Sequence, residues 1–271
     1  VIRETGVLVR HSLRRFRTPL LVMAASLAGF QVLLGLAAQE LQREGTFQQI
    51  INMIPAFVRE LFGPLLVSMM SFSGIMALGY YHVVIVAVLV GLVVAIATEP
   101  AAEVETGFAD LVLSRAVPRS AVMTRSVLLL AAGAAFVVAA MAAGTFLGLR
   151  IAVPAGAVKP AASLVWKLAF SLWCVLVCWG GVSLAIGAPA RRRVVAGSMA
   201  GSAAAALMLV DYLARFWKPI RGIARLSPFH YYNPLELVMN KPLPAADIGI
   251  LLGTAAAGVV VAYVLFLRRD L

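Results

Sequence analysis

The chain reads as an all-α integral membrane protein with six transmembrane helices and both termini on the cytoplasmic side. Three observations predict this class. Of 271 residues, 62% are hydrophobic and only 13% charged, where an ordinary soluble domain has about a quarter charged, and the mean hydropathy is +0.95. Six apolar runs, near 18–39, 79–98, 121–149, 163–188, 194–213 and 246–267, are each long enough to cross a hydrocarbon core of about 30 Å as helix. More than half of the 23 Lys and Arg fall in short stretches, Arg3 to Arg17, Arg115 to Arg125, Arg191 to Arg193, and Arg268 with Arg269. Dense basic segments stay in the cytoplasm. The net charge of +11 is therefore read as membrane orientation and not as affinity for nucleic acid. Residues 1–271 form a single transmembrane domain.

In residues 1–17, apolar Val7, Leu8, Leu13 and Phe16 interleave with Arg3, Arg10, Arg14 and Arg17. The segment is either a helix lying in the membrane interface before the chain turns in at Pro19, or a basic flank that sets orientation. In both cases the Arg side chains reach toward lipid phosphates. The apolar run that follows is span-length and Ala37-Ala38-Gln39 is a poor cleavage site, so it reads as a retained first helix rather than a signal peptide. Gln31 near its middle is either a structural amide facing the bundle or a pathway residue. The external segment 40–64 mixes Glu40, Arg43, Glu44, Arg59 and Glu60 with Ile50, Ile51, Ile54 and Phe57, as short surface helices do. Residues 62–78 are apolar but broken by Gly63-Pro64 and Gly74, and their earlier part is expected to dip in without crossing. Tyr80 and Tyr81 form an interfacial belt, and His82 beside them is an interfacial or a pathway histidine.

Thr98 to Arg119, TEPAAEVETGFADLVLSRAVPR, is the longest polar run between two span-grade segments. Thr98 suits an N-cap, Pro100 a first turn, and Glu99, Glu103 and Glu105 put negative charge near the positive end of a helix. Val104, Phe108, Leu111 and Val112 share one face while Glu103, Glu105 and Asp110 point elsewhere, which predicts an amphipathic cytoplasmic helix over 99–114. Pro118 closes it and Arg119 and Arg125 lead into the third span.

A turn at Pro189 to Arg193 makes spans four and five a tight hairpin. Gly144 with Gly148, Gly197 with Gly201, and Gly249 with Gly253 match the small-residue packing spacing. Lys167 and Asp211 sit near external helix ends as a surface ion pair. In Asp211 to Asp247, Phe216, Trp217, Ile220, Ile223 and Leu226 form an apolar stripe against Arg215, Lys218, Arg221 and Arg225. This predicts an outer headgroup helix, and residues 214–245 an external cap. Cys174 and Cys178, four apart on one helix, read as small packing groups.

Three features in order, the acidic loop (Glu103, Glu105, Gly107, Leu111 to Ser114, Pro118-Arg119), Ser227-Pro228-Phe229-His230-Tyr231-Tyr232, and the ending Phe266 to Asp270, resemble the ABC-2 type permeases. These are the membrane subunits of ATP-driven exporters. The family's usual Gly-Thr is here Thr106-Gly107, and Asp110 stands for a commoner glutamate. The resemblance implies that residues 99–114 are a coupling helix docked on a separate ATPase subunit, present in two copies. It also implies a second permease chain, identical or paralogous, and a place in a bacterial or archaeal inner membrane. Docking would fall to Glu103, Glu105, Gly107, Phe108, Asp110, Leu111, Ser114, Pro118 and Arg119.

No G-x-x-x-x-G-K-[ST] occurs, so ATP and Mg belong to the partner and this chain carries no cofactor, metal or catalytic residue of its own. An apolar bundle suits an amphipathic or lipid-like cargo. The alternatives are an envelope-assembly or signalling complex of the same type, and a secondary transporter. The latter wants ionisable groups near the midplane and broken helices in repeated halves. An aspartyl protease would need a second membrane Asp, and a zinc protease His-Glu-x-x-His, and neither pattern is present.

Overall fold

The computed structural model describes residues 2–43, 53, 69, 71–108, 111, 114, 117–152 and 159–268, with the side chains of 2–5 excepted. Among the described residues there is helix, turn and loop and no strand. The expected surface helices between 44 and 64, the Gly63-Pro64 break, Asp110, Arg115 and the Arg269-Asp270 ending lie outside the described residues, Met53 apart.

Helix α1 spans Ile2–Arg43, α2 Phe72–Tyr81, α3 Val83–Ala97, α4 Glu99–Glu105, α5 Arg119–Ile151, α6 Ala162–Gly187, α7 Arg193–Ala214 and α8 Ala245–Leu267. Six stretches are long and apolar enough to cross a membrane: Gly6–Arg43, Phe72–Ala97, Arg119–Ile151, Ala162–Gly187, Arg193–Ala214 and Ala245–Leu267. They coincide with the six predicted runs, with two corrections at the ends.

The first concerns α1, which runs unbroken through Pro19 where a separate N-terminal helix was one expectation. Proline removes one backbone donor and disfavours helix. Here Ser12, Phe16, Leu20, Ala24, Leu27, Gln31, Leu34 and Ala38 are all buried, at spacings of three and four. This stripe packs along α5, and it stays in register only if the helix continues. The second concerns the second span, which begins at Phe72 and not near 79. The Ser71 hydroxyl accepts the Gly74 N–H at 3.0 Å and starts α2, and only an extended His82 (φ −66, ψ 123) separates α2 from α3. Gly74, read as a break, lies inside α2.

Helix α6 is the most buried span and occupies the centre, against α3, α5, α7 and α8. Trp179 is fully buried in it and packs on Phe229 at 5.3 Å. Close helix approaches are made by glycine. A Cβ on Gly144 would lie 2.4 Å from the Ala28 carbonyl oxygen of α1, and one on Gly258 only 2.5 Å from the Gly181 carbonyl carbon. Gly148 likewise faces Gly35 and Gln31. By contrast Gly197, Gly201, Gly249 and Gly253 have nothing within 4 Å of a Cβ, so of three predicted glycine pairs one packs within the chain.

Residues 215–244 form no single headgroup helix. They fold as the short turns Lys218–Ile220, Arg221–Ala224, Pro228–Tyr231 and Pro234–Val238. Prolines at 219, 228 and 234 each begin a new turn, because a proline fits a first turn and not a helix interior. Phe216, Trp217, Ile223 and Leu226 are exposed there.

Candidate functional site

At one end of the bundle the chain passes from α3 into α4 almost without a break. Thr98 does not cap α4 with its side chain. Its hydroxyl donates back to the Val94 carbonyl at 2.9 Å, so the first turn relies on Pro100, which has no N–H to satisfy. The predicted single helix over 99–114 is interrupted. The Thr106 hydroxyl donates to the Ala102 carbonyl at 2.9 Å, and Gly107 then takes φ +71, a left-handed conformation that a Cβ disfavours. Phe108 and Leu111 are helical again beyond it.

The acidic side chains of α4 are organised by arginines from three spans. Glu103, 5% exposed, receives both guanidinium nitrogens of Arg125 at 2.5 and 2.9 Å. Glu99, also buried, is paired through one oxygen with Arg15 of α1, and its other oxygen lies 3.8 Å from Arg193 of α7. Exposed Glu105 accepts the backbone N–H of Arg193 at 2.8 Å, while the Arg193 guanidinium donates to the Ala95 carbonyl at 3.2 Å. One short helix therefore ties together the ends of α1, α3, α5 and α7. The expectation that Glu103 points outward with Glu105 is corrected. A buried carboxylate without a counter-ion costs several kcal/mol, and Arg125, 1% exposed, supplies it.

Beyond Gly107 the predicted residues separate. The Phe108 ring stacks on His11 of α1, with centroids 5.8 Å apart and planes at 16°. Leu111 is 69% exposed, and exposed Ser114 donates its hydroxyl to the Leu111 carbonyl at 2.9 Å. Pro118 is the extended residue before α5. Arg119 donates to the Leu267 carbonyl at 3.4 Å, placing a cation at the negative end of α8. The loop thus has an inner part locked to four spans and an outer part, Leu111 with Ser114, that faces away from the bundle.

Arg15, Arg125 and Arg193 were not among the predicted site residues. Their signal was present: each lies at or near the end of a basic stretch before an apolar run, opposite the only acidic run at the same end of the spans.

The two pathway candidates occupy different settings. The Gln31 amide is 0% exposed and neither its nitrogen nor its oxygen has a hydrogen-bond partner. It lies against Gly79, where a Cβ would stand 2.5 Å from its Nε2. His82 is exposed at the α2–α3 junction.

At the opposite end of the bundle Tyr232 donates its hydroxyl to the Tyr80 carbonyl, and the Tyr80 hydroxyl bonds Thr145 at 2.9 Å. Burial, then the neighbouring Tyr80, push the Tyr232 phenol well above its ordinary value, so it remains a neutral donor. Asp211 pairs with Arg215 at 3.2 Å and lies 3.6 Å from His230, in place of the expected Lys167. Asp211, Arg215 and His230 border a cavity of about 590 Å³ that Arg221, Arg225 and Asp247 also line. Cys174 and Cys178 are free and buried, and among the described residues no His, Cys, Asp and Glu cluster is arranged to hold a metal.

No protein-family model matches this chain, no curated protein matches it, and no solved structure matches it.

Proposed function

We propose that this chain is the membrane-spanning subunit of an ABC-2 type transporter, coupling ATP hydrolysis by a separate subunit to export of an amphipathic or lipid-like substrate across a bacterial or archaeal inner membrane. The observation that carries the reading is the two-part loop after the second span. Its inner carboxylates are bound to arginines of α1, α5 and α7, and its outer end presents exposed Leu111 and Ser114. Such a loop has the form of a transmission element. A partner that moves the outer end displaces α4, and α4 is ion-paired to the spans that must rearrange.

The chemistry asked of this chain is mechanical. ATP and Mg would be bound by two copies of the ATPase subunit, and a second permease chain would complete the pathway. An ATPase that closes on ATP shifts the bundle only by binding one arrangement of the loop better than the other. Exposed Leu111 offers apolar surface whose removal from water would favour such an interface, and Glu105 sets the charge around it.

The test is co-expression of the chain with the products of its neighbouring genes, followed by affinity purification in detergent and an ATPase assay. Wild type is expected to retain a Walker-motif subunit. Leu111→Asp is expected to lose it while keeping its own melting temperature. Absence of any ATPase subunit from the wild-type complex overturns the reading.

A further inference from the structure

A groove of about 500 Å³ lies between the first half of α1 and the middle of α5. Its upper rim is a ladder of guanidinium groups, Arg10, Arg14 and Arg17, and its walls are apolar, with Leu20 and Leu21 facing Ala132 and Phe136. The ladder follows from spacing. Positions i, i+4 and i+7 share one face of a helix, and Leu20 and Leu21 continue that face one turn deeper. Because α1 runs straight on through Pro19, charge and grease stand in line on one rod.

Arg15 in the same segment is turned to Glu99. Among the described residues Arg10, Arg14 and Arg17 have no carboxylate partner, and all three are exposed. Three like charges within a rise of about 10 Å repel one another unless an anion lies among them. The headgroup layer of a bilayer is several Å thick on each face, so a ladder of this height meets phosphates at more than one level. Below it, Leu21 and Phe136 are nearly half exposed, and the small residues Ala132 and Gly133 leave a shallow trough between them.

We infer that this groove is a binding site for one anionic phospholipid of the surrounding leaflet, its headgroup phosphate held by Arg10, Arg14 and Arg17 and an acyl chain lying along Leu20, Leu21, Ala132 and Phe136. A soluble anion would satisfy the charges and leave the apolar trough wet. A zwitterionic lipid would fill the trough and leave the cations uncompensated. Only an anionic amphiphile matches both halves. The inference rests on the membrane-spanning part of the proposed function and is independent of the ATPase.

The experiment uses the full chain in zwitterionic detergent, titrated with phosphatidylglycerol or phosphatidylcholine of the same acyl chains and read by native mass spectrometry. Wild type is expected to retain phosphatidylglycerol roughly tenfold or more over phosphatidylcholine, since each basic side chain near an anionic headgroup adds about a fivefold factor. R10Q/R14Q/R17Q is expected to abolish that preference and R10K/R14K/R17K to keep most of it. A132W fills the trough from an exposed position and is expected to weaken retention of both lipids with the three arginines intact. Glycerophosphoglycerol, the headgroup alone, is expected not to displace bound lipid.

Survival of the preference in the triple Gln variant, unchanged retention in A132W, or full competition by the headgroup alone each overturns the proposal. Circular dichroism of each variant separates loss of the site from loss of the fold, and the triple Lys variant retains the charges if Gln is poorly tolerated. Release of wild type from membranes by alkaline carbonate would instead overturn the membrane reading. Firm membrane residence without lipid preference overturns the lipid site alone.

Discussion

Arg125 and Glu103 form a two-pronged ion pair whose side chains are 1% and 6% exposed, joining the second turn of α5 to α4. Pairs this deep are costly to break from one side, because the survivor is left charged and dry. Glu103→Gln is expected to destabilise the chain by about 3 kcal/mol or more. Glu103→Leu with Arg125→Met is expected to recover most of the loss. Unfolding in mixed micelles by denaturing detergent measures all three. A double variant as weak as the single would mean that the pair does not act as a unit.

Gly107→Ala isolates the backbone. Nothing lies within 4 Å of a Cβ at this position, so the cost comes from φ +71 alone and is expected to be on the order of 1–2 kcal/mol. Gly107→Asn, which tolerates the left-handed region, is expected to lose less. Equal melting temperatures for the two variants would contradict this account.

Gln31→Met removes an amide that is fully buried without a partner and keeps an unbranched side chain of similar length against Gly79. Such a group carries a desolvation cost of about 1–3 kcal/mol. The variant is therefore expected to melt higher than wild type. A lower melting temperature would show that the amide is satisfied in the native protein.

The seam between α6 and α8 is set by Gly181 and Gly258. Gly258→Ala places a Cβ 2.5 Å from backbone and is expected to cost about 1–3 kcal/mol. Gly253→Ala on the same helix meets open space and is expected to be neutral or slightly stabilising through helix propensity. Thermal melts of the two in one detergent make the comparison, and a reversed order would count against the seam.

Tyr232→Phe deletes a buried donor to the Tyr80 carbonyl and is expected to cost about 1 kcal/mol. It also changes the alkaline limb. A phenol whose folded value is raised holds its proton after the unfolded chain has lost it, near the ordinary value of 10. Its contribution is complete below that pH and declines as pH rises above it. Wild type is expected to lose stability more steeply above pH 10 than the Phe variant, as chemical denaturation at pH 8 to 11 would reveal.

The spans were legible because about twenty consecutive apolar residues are a property of composition that survives any packing. The direction of Glu103 was not. Helical periodicity sorts residues into apolar and polar faces and assigns the polar face to solvent. Here the polar face of α4 meets arginines arriving from Arg15, Arg125 and Arg193, positions separated by up to 178 residues along the chain. Charge pairing at that range leaves no local pattern. The continuity of α1 was hidden for a related reason. Pro19 carries a local penalty, whereas the reward, a stripe from Ser12 to Ala38 fitted to α5, is visible only once the two helices are placed side by side.

That continuity has a mechanical side. At 42 residues, α1 is a rod of about 63 Å, roughly twice the thickness of a hydrocarbon core. It is fastened at one end through Arg15 and His11 to the loop around Glu99 and Phe108. Near the other end Ala38 belongs to a cluster with Phe72 and Met76. A tilt of about 10° around its middle would swing each end by roughly 5 Å in opposite directions. A push delivered at the His11 end would emerge at the Ala38 end as an inverted stroke of the same size, and the seam with α5 between them is what such a stroke would have to shear.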